Sequence, residues 1–199
     1  MNHALQCGCG TLKGRVAHAE AATRGVCYCK DCQAFARFLG HADEILDESG
    51  GTDVVATLAS NVTITEGANA LACMSLTENG LLRWYASCCN TPIGNTTRNF
   101  KLPYVGLVHN CLEKSGPSLD AAFGPVRMRV NTQSATRGRP SSTPFATLAA
   151  VLRLMASIGR ARLDGSYRRT PFFDAQRGTP VVASSVISRA ERDRLRNAA

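Results

Sequence analysis

No uninterrupted apolar run of about 18 residues occurs in this 199-residue chain, so a membrane-spanning helix is not expected. The first ten residues, MNHALQCGCG, lack the basic start and apolar stretch of a secretory leader. Both absences lead us to expect a cytoplasmic protein with no membrane partner, in a compartment where thiols stay reduced. Charge is sparse: at 19% charged and 44% apolar residues, the composition is that of a packed core and not of a disordered chain. The second part of the chain lacks something more specific. After residue 119 there is neither a cysteine nor a lysine. Residues 1–119 carry 9 Lys+Arg against 10 Asp+Glu, whereas 120–199 carry 14 Arg against 5 acids, which supplies the whole net charge of +8.

What the first part does hold is thiols, nine in all: Cys7, Cys9, Cys27, Cys29, Cys32, Cys73, Cys88, Cys89 and Cys111. An odd count fits a fully paired disulfide framework poorly, and clustered thiols in a reducing compartment favour metal binding or catalysis. Cys27-x-Cys29-x-x-Cys32 can aim three sulfurs at one point from a tight turn entering a helix. Zinc accepts thiolates in tetrahedral geometry, and three protein ligands leave a corner open, as in catalytic sites. Cys7-x-Cys9 offers only two ligands, and its best partners are Cys88 and Cys89. That pairing would tie the N-terminal arm to a hairpin end, a structural task. Adjacent residues of a regular strand point to opposite faces, so Cys88 and Cys89 can share one metal only if the chain turns sharply there. A three-cysteine site completed by histidine, or a vicinal thiol pair without metal, is the alternative. Cys73 and Cys111 lie among apolar residues and read as buried small hydrophobes. His3, His18, His41 and His109 stand alone and read as surface or satisfied residues.

The surrounding pattern is mostly strand. TDVVATL and NVTITEG are β-branched runs bounded by Gly or Asn, and LKGRVAHAE alternates weakly. ALACMSLT and LLRWYAS flank Asn79-Gly80, a strong hairpin signal because both residues tolerate positive φ. Trp84 and Tyr85 read as core. YVGLVHNCL reads as a strand or a buried helical turn, and CQAFARFLG has helical spacing. Residues 131–144 are polar, with Gly and Pro, and read as a linker. From Phe145, apolar residues recur at three and four through Leu148, Val151, Leu152, Met155 and Ile158, an amphipathic helix with Thr143 as cap and Pro144 at its first position. Its apolar stripe can cover its own β domain or that of another copy, which leaves a homo-oligomer open. Ser188 and Glu191 have capping-box spacing for a terminal helix.

In combination, the motifs CGCGTLKG, CYCKDC and SCCNTP resemble the family of glutathione-dependent formaldehyde-activating enzymes, which includes centromere protein V. The resemblance covers roughly residues 5–110. It implies a mainly β fold of small antiparallel sheets around zinc, with two Zn2+ per chain. The middle triad, Cys27, Cys29 and Cys32, would hold the catalytic zinc, and the first and last motifs the structural one. The implied activity is carbon–sulfur lyase chemistry on a thiol adduct of formaldehyde, with glutathione as co-substrate. One departure matters: the resemblance places the last two ligands at Ala86 and Cys89, and Ala86 cannot ligate, so Cys88 is the natural substitute. Cationic side chains would help to hold a glutathione-like ligand, and Arg24, Lys30 and Arg37 flank the triad in sequence.

The expected organisation is therefore a zinc-binding β domain over 1–130, a linker over 131–144, and a basic α-helical extension over 145–199. A second function class is a non-catalytic zinc-stabilised binding module. Its Arg-rich tail could associate with nucleic acid, although the arginines are scattered and no RNA-binding motif is visible.

Overall fold

The structure, a computed structural model, describes residues 1–112, 117–138 and 140–198. It is mainly β. Strands β1 (His3–Gln6), β2 (Lys13–Val16) and β5 (Val62–Glu66) form a small antiparallel sheet in the order β1-β2-β5. The larger sheet has eight strands. Its centre is antiparallel and contains β3 (Thr23–Cys27), β4 (Thr52–Leu58), β9 (Tyr104–Val108), β8 (Thr91–Thr96), β7 (Leu82–Ala86) and β6 (Leu71–Ser75), in that spatial order. Two short strands from the later part of the chain, β10 (Met128–Val130) and β11 (Ser185–Val186), add to opposite edges in parallel, on β3 and β6 respectively. The helices are α1 (Lys30–Phe38), α2 (Ala42–Ile45), α3 (Leu119–Phe123), α4 (Pro144–Leu163) and α5 (Arg189–Asn197). Among the described residues, no helix is long and apolar enough to cross a membrane.

The β-branched runs form strands where their sequence places them, over 52–58 and 62–66. YVGLVHNCL is both of the things it resembles: a strand to Val108, then one 3-10 turn to Cys111. The 71–86 hairpin pairs antiparallel, Cys73 facing Trp84, but its connection is wider than the Asn-Gly signal implies. Neither Asn79 nor Gly80 takes positive φ. The turn instead closes through the Gly80 N–H to the Thr77 carbonyl at 3.1 Å, while the buried Ser75 hydroxyl donates to Thr77 and Leu81 carbonyls.

Trp84 anchors the main core. Its ring is fully buried, its indole N–H donates to the Thr96 hydroxyl at 2.9 Å, and Phe172 packs on it at 5.2 Å between centroids. An aromatic ring removes about 150–250 Å² from water, worth roughly 4–6 kcal/mol before conformational costs. Phe172 and Phe173, from the Arg-rich part of the chain, therefore sit in the same core as strands β4 and β7–β9. His3 is buried, bonded through Nε2 to the Leu112 carbonyl at 2.8 Å and edge-on to Phe123, while its Nδ1 is buried without a hydrogen-bond partner, so it is a core histidine satisfied at one nitrogen only.

A second cluster lies under α1, where Phe35 and Leu39 meet Met74, Val108 and Leu195 of α5. Ser188 caps α5 through the Glu191 N–H at 3.1 Å, as its spacing predicts. Thr143 does not cap α4. Its hydroxyl accepts instead from the Arg129 N–H at 2.9 Å, so it ties the helix start to β10, and Pro144 occupies the first helical turn as expected. The stretch 131–144, whose residue 139 lies outside the described residues, contains a 3-10 turn at 132–134. It bonds back to the sheet side through the Ser134 carbonyl to Gln33 and the Thr136 N–H to Ser49.

Candidate metal centres

The first cluster is built from two turns. After β1 the chain folds back at Cys7-Gly8-Cys9-Gly10, with the Gly10 N–H on the Cys7 carbonyl at 3.0 Å and the Leu12 N–H on Cys7 Sγ at 3.2 Å. Gly10 takes φ +79°, which a side chain would resist. The facing turn, residues 87–90, leaves β7 and enters β8. Asn90 adopts φ +53° there, the left-handed conformation that Asn tolerates best after Gly. This is the sharp turn that adjacent cysteines need. Sulfur separations are 3.6 Å for Cys7–Cys9, 3.8 Å for Cys7–Cys88, 3.3 Å for Cys9–Cys88 and 3.8 Å for Cys88–Cys89. Four sulfurs at about 2.3 Å from a tetrahedral ion lie about 3.8 Å apart, so donor set and spacing fit zinc. Ala86 is buried in β7 and offers no ligand atom.

The second cluster comes from a single knuckle. Strand β3 ends at Cys27, and the Tyr28 N–H bonds the Val130 carbonyl. Cys29 is extended at ψ 148° and caps α1, its sulfur accepting from the Cys32 N–H at 3.4 Å. Gln33, buried, braces the knuckle from inside by donating to the Tyr28 and Ser134 carbonyls, both at 2.9 Å. The three sulfurs lie within 4.8 Å of one another, and no fourth His, Cys, Asp or Glu joins them among the described residues. The positive end of α1 favours thiolates at its first turn. Three such donors also fit zinc.

Beside this triad opens a cavity of about 290 Å³. Its walls are largely apolar, from Val26 and Val54 to Leu81 and Met128, and its polar groups are few: Asp31, Arg83, Asn95, Tyr104 and Asn131 with the cysteines. The Asn131 amide donates to Cys27 Sγ at 3.5 Å. Arg83 is only 3% exposed, 4.0 Å from Cys32 Sγ, bonded to the Asn95 side-chain oxygen at 3.2 Å and stacked over Phe35. A DUF6151 family model, described as a family of unknown function, matches residues 2–184.

The chain belongs to the DUF6151 family.

The match takes in both cysteine clusters and α4. No curated protein is similar to this DUF6151 chain. Among solved structures, a Rhodobacter sphaeroides protein is similar over 62% of this chain and 96% of its own, at 19% identity and a TM-score of 0.39.

The electrostatics of the DUF6151 triad are those of three coupled thiols. Hydrogen bonds from Cys29 and then Cys32 hold the Cys27 thiol down at about 2, and the Asn131 amide helps. The thiolate so formed pushes the other two up, through Cys27 first in each case, and burial adds to the effect. The group thus ionises once easily and resists a second ionisation, the behaviour of a coupled set. In the four-cysteine cluster the Thr11 hydroxyl and then its backbone N–H bring Cys9 down to about 6, and desolvation followed by the Cys9 and Cys7 contacts drives Cys88 up to about 12. Cys73 and Cys111 lie apart from both clusters. Each is buried, and burial alone raises Cys73 to about 12.

Three cations near the triad in sequence do not line the cavity. Arg24 is paired with Asp53 at 2.6 Å and with Asp120, Arg37 donates to the Leu195 carbonyl, and Lys30 does not line the cavity. Arg83 does line it, and sequence reasoning passed it over. Its signal was a charge between Leu82 and Trp84 in an otherwise apolar strand. Strand alternation alone would leave such a residue facing solvent, so only the fold reveals that it is buried. Among the described residues no carboxylate pairs with it; the Cys32 sulfur lies 4.0 Å away, and Asp31, which lines the same cavity, is held by Arg196.

Proposed function

We propose that this protein is a zinc-dependent carbon–sulfur lyase-like enzyme acting on the thiol adduct of a small aldehyde. Formaldehyde and a glutathione-type thiol are the reference pair. The observation that carries the reading is the contrast between the clusters: four protein sulfurs converge in one, and three converge in the other beside a cavity. The family resemblance of the CYCKDC motif supports the same assignment. We assign Cys27, Cys29 and Cys32 to a catalytic zinc, and Cys7, Cys9, Cys88 and Cys89 to a structural one.

Zinc on three thiolates supplies a Lewis-acidic corner for a sulfur or oxygen ligand, with a formal net charge of −1. The buried guanidinium of Arg83 balances that charge, and its unpaired positive field favours negative charge developing on the adduct. In the synthetic direction the thiol sulfur bonds the aldehyde carbon, the carbonyl π pair goes to oxygen, and the thiol proton ends on that oxygen as a hydroxymethyl group. Asn95 and Asn131 provide amides within the cavity to orient the oxygen. Tyr104 keeps its proton, because burial and then the negative Cys32 and Cys27 raise it to about 12, so it serves as a hydrogen-bond donor. The apolar wall excludes water and keeps these contacts strong.

The test is direct. Wild-type protein should contain two zinc ions per chain and accelerate adduct formation from formaldehyde and a thiol. Changing Cys27, Cys29 and Cys32 to serine should remove one zinc and the activity together, with the fold retained. A fully loaded wild type that leaves the uncatalysed rate unchanged points to the other reading, a non-catalytic zinc module. Salt-dependent DNA binding by the full chain would then favour a nucleic-acid role.

A further inference from the structure

Helix α4 carries its apolar stripe outward. Ile158, Ala150 and Ala161 are buried against the sheet side, but Phe145 is 86% exposed, Leu148 58%, Leu152 61% and Met155 48%. The exposed positions are not scattered. Residues 145, 148, 152, 155, 159 and 162 step by three and four in strict alternation, the seam of a two-helix coiled coil. Arg153 and Arg160 fall outside that seam. Gly159 lies on it. A glycine inside a helix costs about 1 kcal/mol relative to alanine, and nothing within the chain requires one here, because an added Cβ would meet no atom within 4 Å.

We propose that α4 is the interface of a two-fold antiparallel dimer of this chain. In antiparallel pairing the first and fourth heptad positions of the two helices face each other. Leu152 then meets the partner's Met155, and Leu148 fills the space over the partner's Gly159. Phe145 meets the partner's Arg162, a guanidinium on an aromatic face that closes each end of the seam. Every large side chain thus faces a small or complementary one when the helix is set against itself, which an isologous interface demands. Exposed Ala149 and Ala156 form one shoulder of the seam and allow close approach. With Val151, 43% exposed, the stripe offers roughly 500 Å² of apolar surface per copy, or about 1,000 Å² per pair, the lower bound of a stable interface. An interface of this size belongs to the weak, transient class. The proposal is independent of the metal assignment.

Sedimentation velocity on the full chain, across concentrations of about 1–200 µM, tests it. The expected result is a concentration-dependent dimer. Leu152→Glu should give monomer throughout with unchanged circular dichroism. Gly159→Leu should weaken the dimer at least about tenfold although it raises helix propensity, a pairing of effects that a merely structural change would not produce. A monomeric wild type at every concentration overturns the proposal, as does a dimer indifferent to both substitutions. Recruitment of a monomeric wild type to anionic vesicles would overturn it too, and would reassign the stripe to a lipid surface.

Discussion

The four-cysteine cluster joins residues 81 positions apart, whereas the three-cysteine cluster is drawn from one turn of six residues. The first brings together the β1–β2 turn and the β7–β8 turn, so its ligands meet only when two sheets are already in place. A metal bound there would hold tertiary structure. The second needs nothing but a strand end and a helix start, and its backbone is braced by Gln33 whatever the sulfurs hold. On the proposed reading the long-range cluster is a staple, and the local cluster on its braced knuckle is free to serve chemistry.

The sharpest way to break this comparison is thermal. Cys7→Ser should cost about 4 kcal/mol or more and lower the melting temperature by roughly 10 °C, whereas Cys29→Ser should lower it by only about 3 °C. Equal losses would erase the distinction between staple and working site. The next effect is one of pH. In metal-free protein the folded Cys27 pKa lies below the ordinary thiol range, so its thiolate persists as pH falls. Its alkylation rate should be nearly flat from about pH 5 to 7, where an ordinary thiol gains about tenfold per unit. A tenfold-per-unit slope at Cys27, read by peptide mass spectrometry, would count against the triad geometry. Arg83→Met should lower zinc affinity at the triad by about tenfold and leave the four-cysteine site untouched. Competition with a chromophoric chelator separates the two. The smallest effect concerns Asn90. Asn90→Ala should cost about 1 kcal/mol in the left-handed turn, and Asn90→Gly should be neutral or slightly stabilising. Equal denaturation midpoints for the two would mean that the turn does not hold its positive φ.

Much of this was legible in the sequence because it is local. β-branched runs marked β4 and β5, the three cysteines before CQAFARFLG marked the knuckle, and Ser188 with Glu191 marked α5. The wide hairpin at 76–81 escaped because Asn-Gly is permissive of a turn type without imposing it, and the Ser75 hydroxyl bonds override it. The edge strands β10 and β11 are two or three residues long and pair with segments about 100 residues away, too short to leave a periodic trace. Phe172 and Phe173 stand in an irregular stretch and acquire their core role only through distant rings, Trp84 for both and Phe100 for Phe173. The candidate site shows the same division. Its cysteines declared themselves by spacing, while Arg83, Asn95, Tyr104 and Asn131 come from four separate strands or strand ends and are united by the sheet alone.

The last helix grips the one that carries Cys32. Arg37 reaches the carbonyl of Leu195, and Arg196 holds Asp31, one residue before the third sulfur and 165 positions away along the chain. The other arginines of α5 are engaged with Glu191 and Asp193. That helix spends its positive charge on its own neighbours, so proteolytic trimming at its base would loosen the floor beneath the knuckle before it removed any attraction for a polyanion.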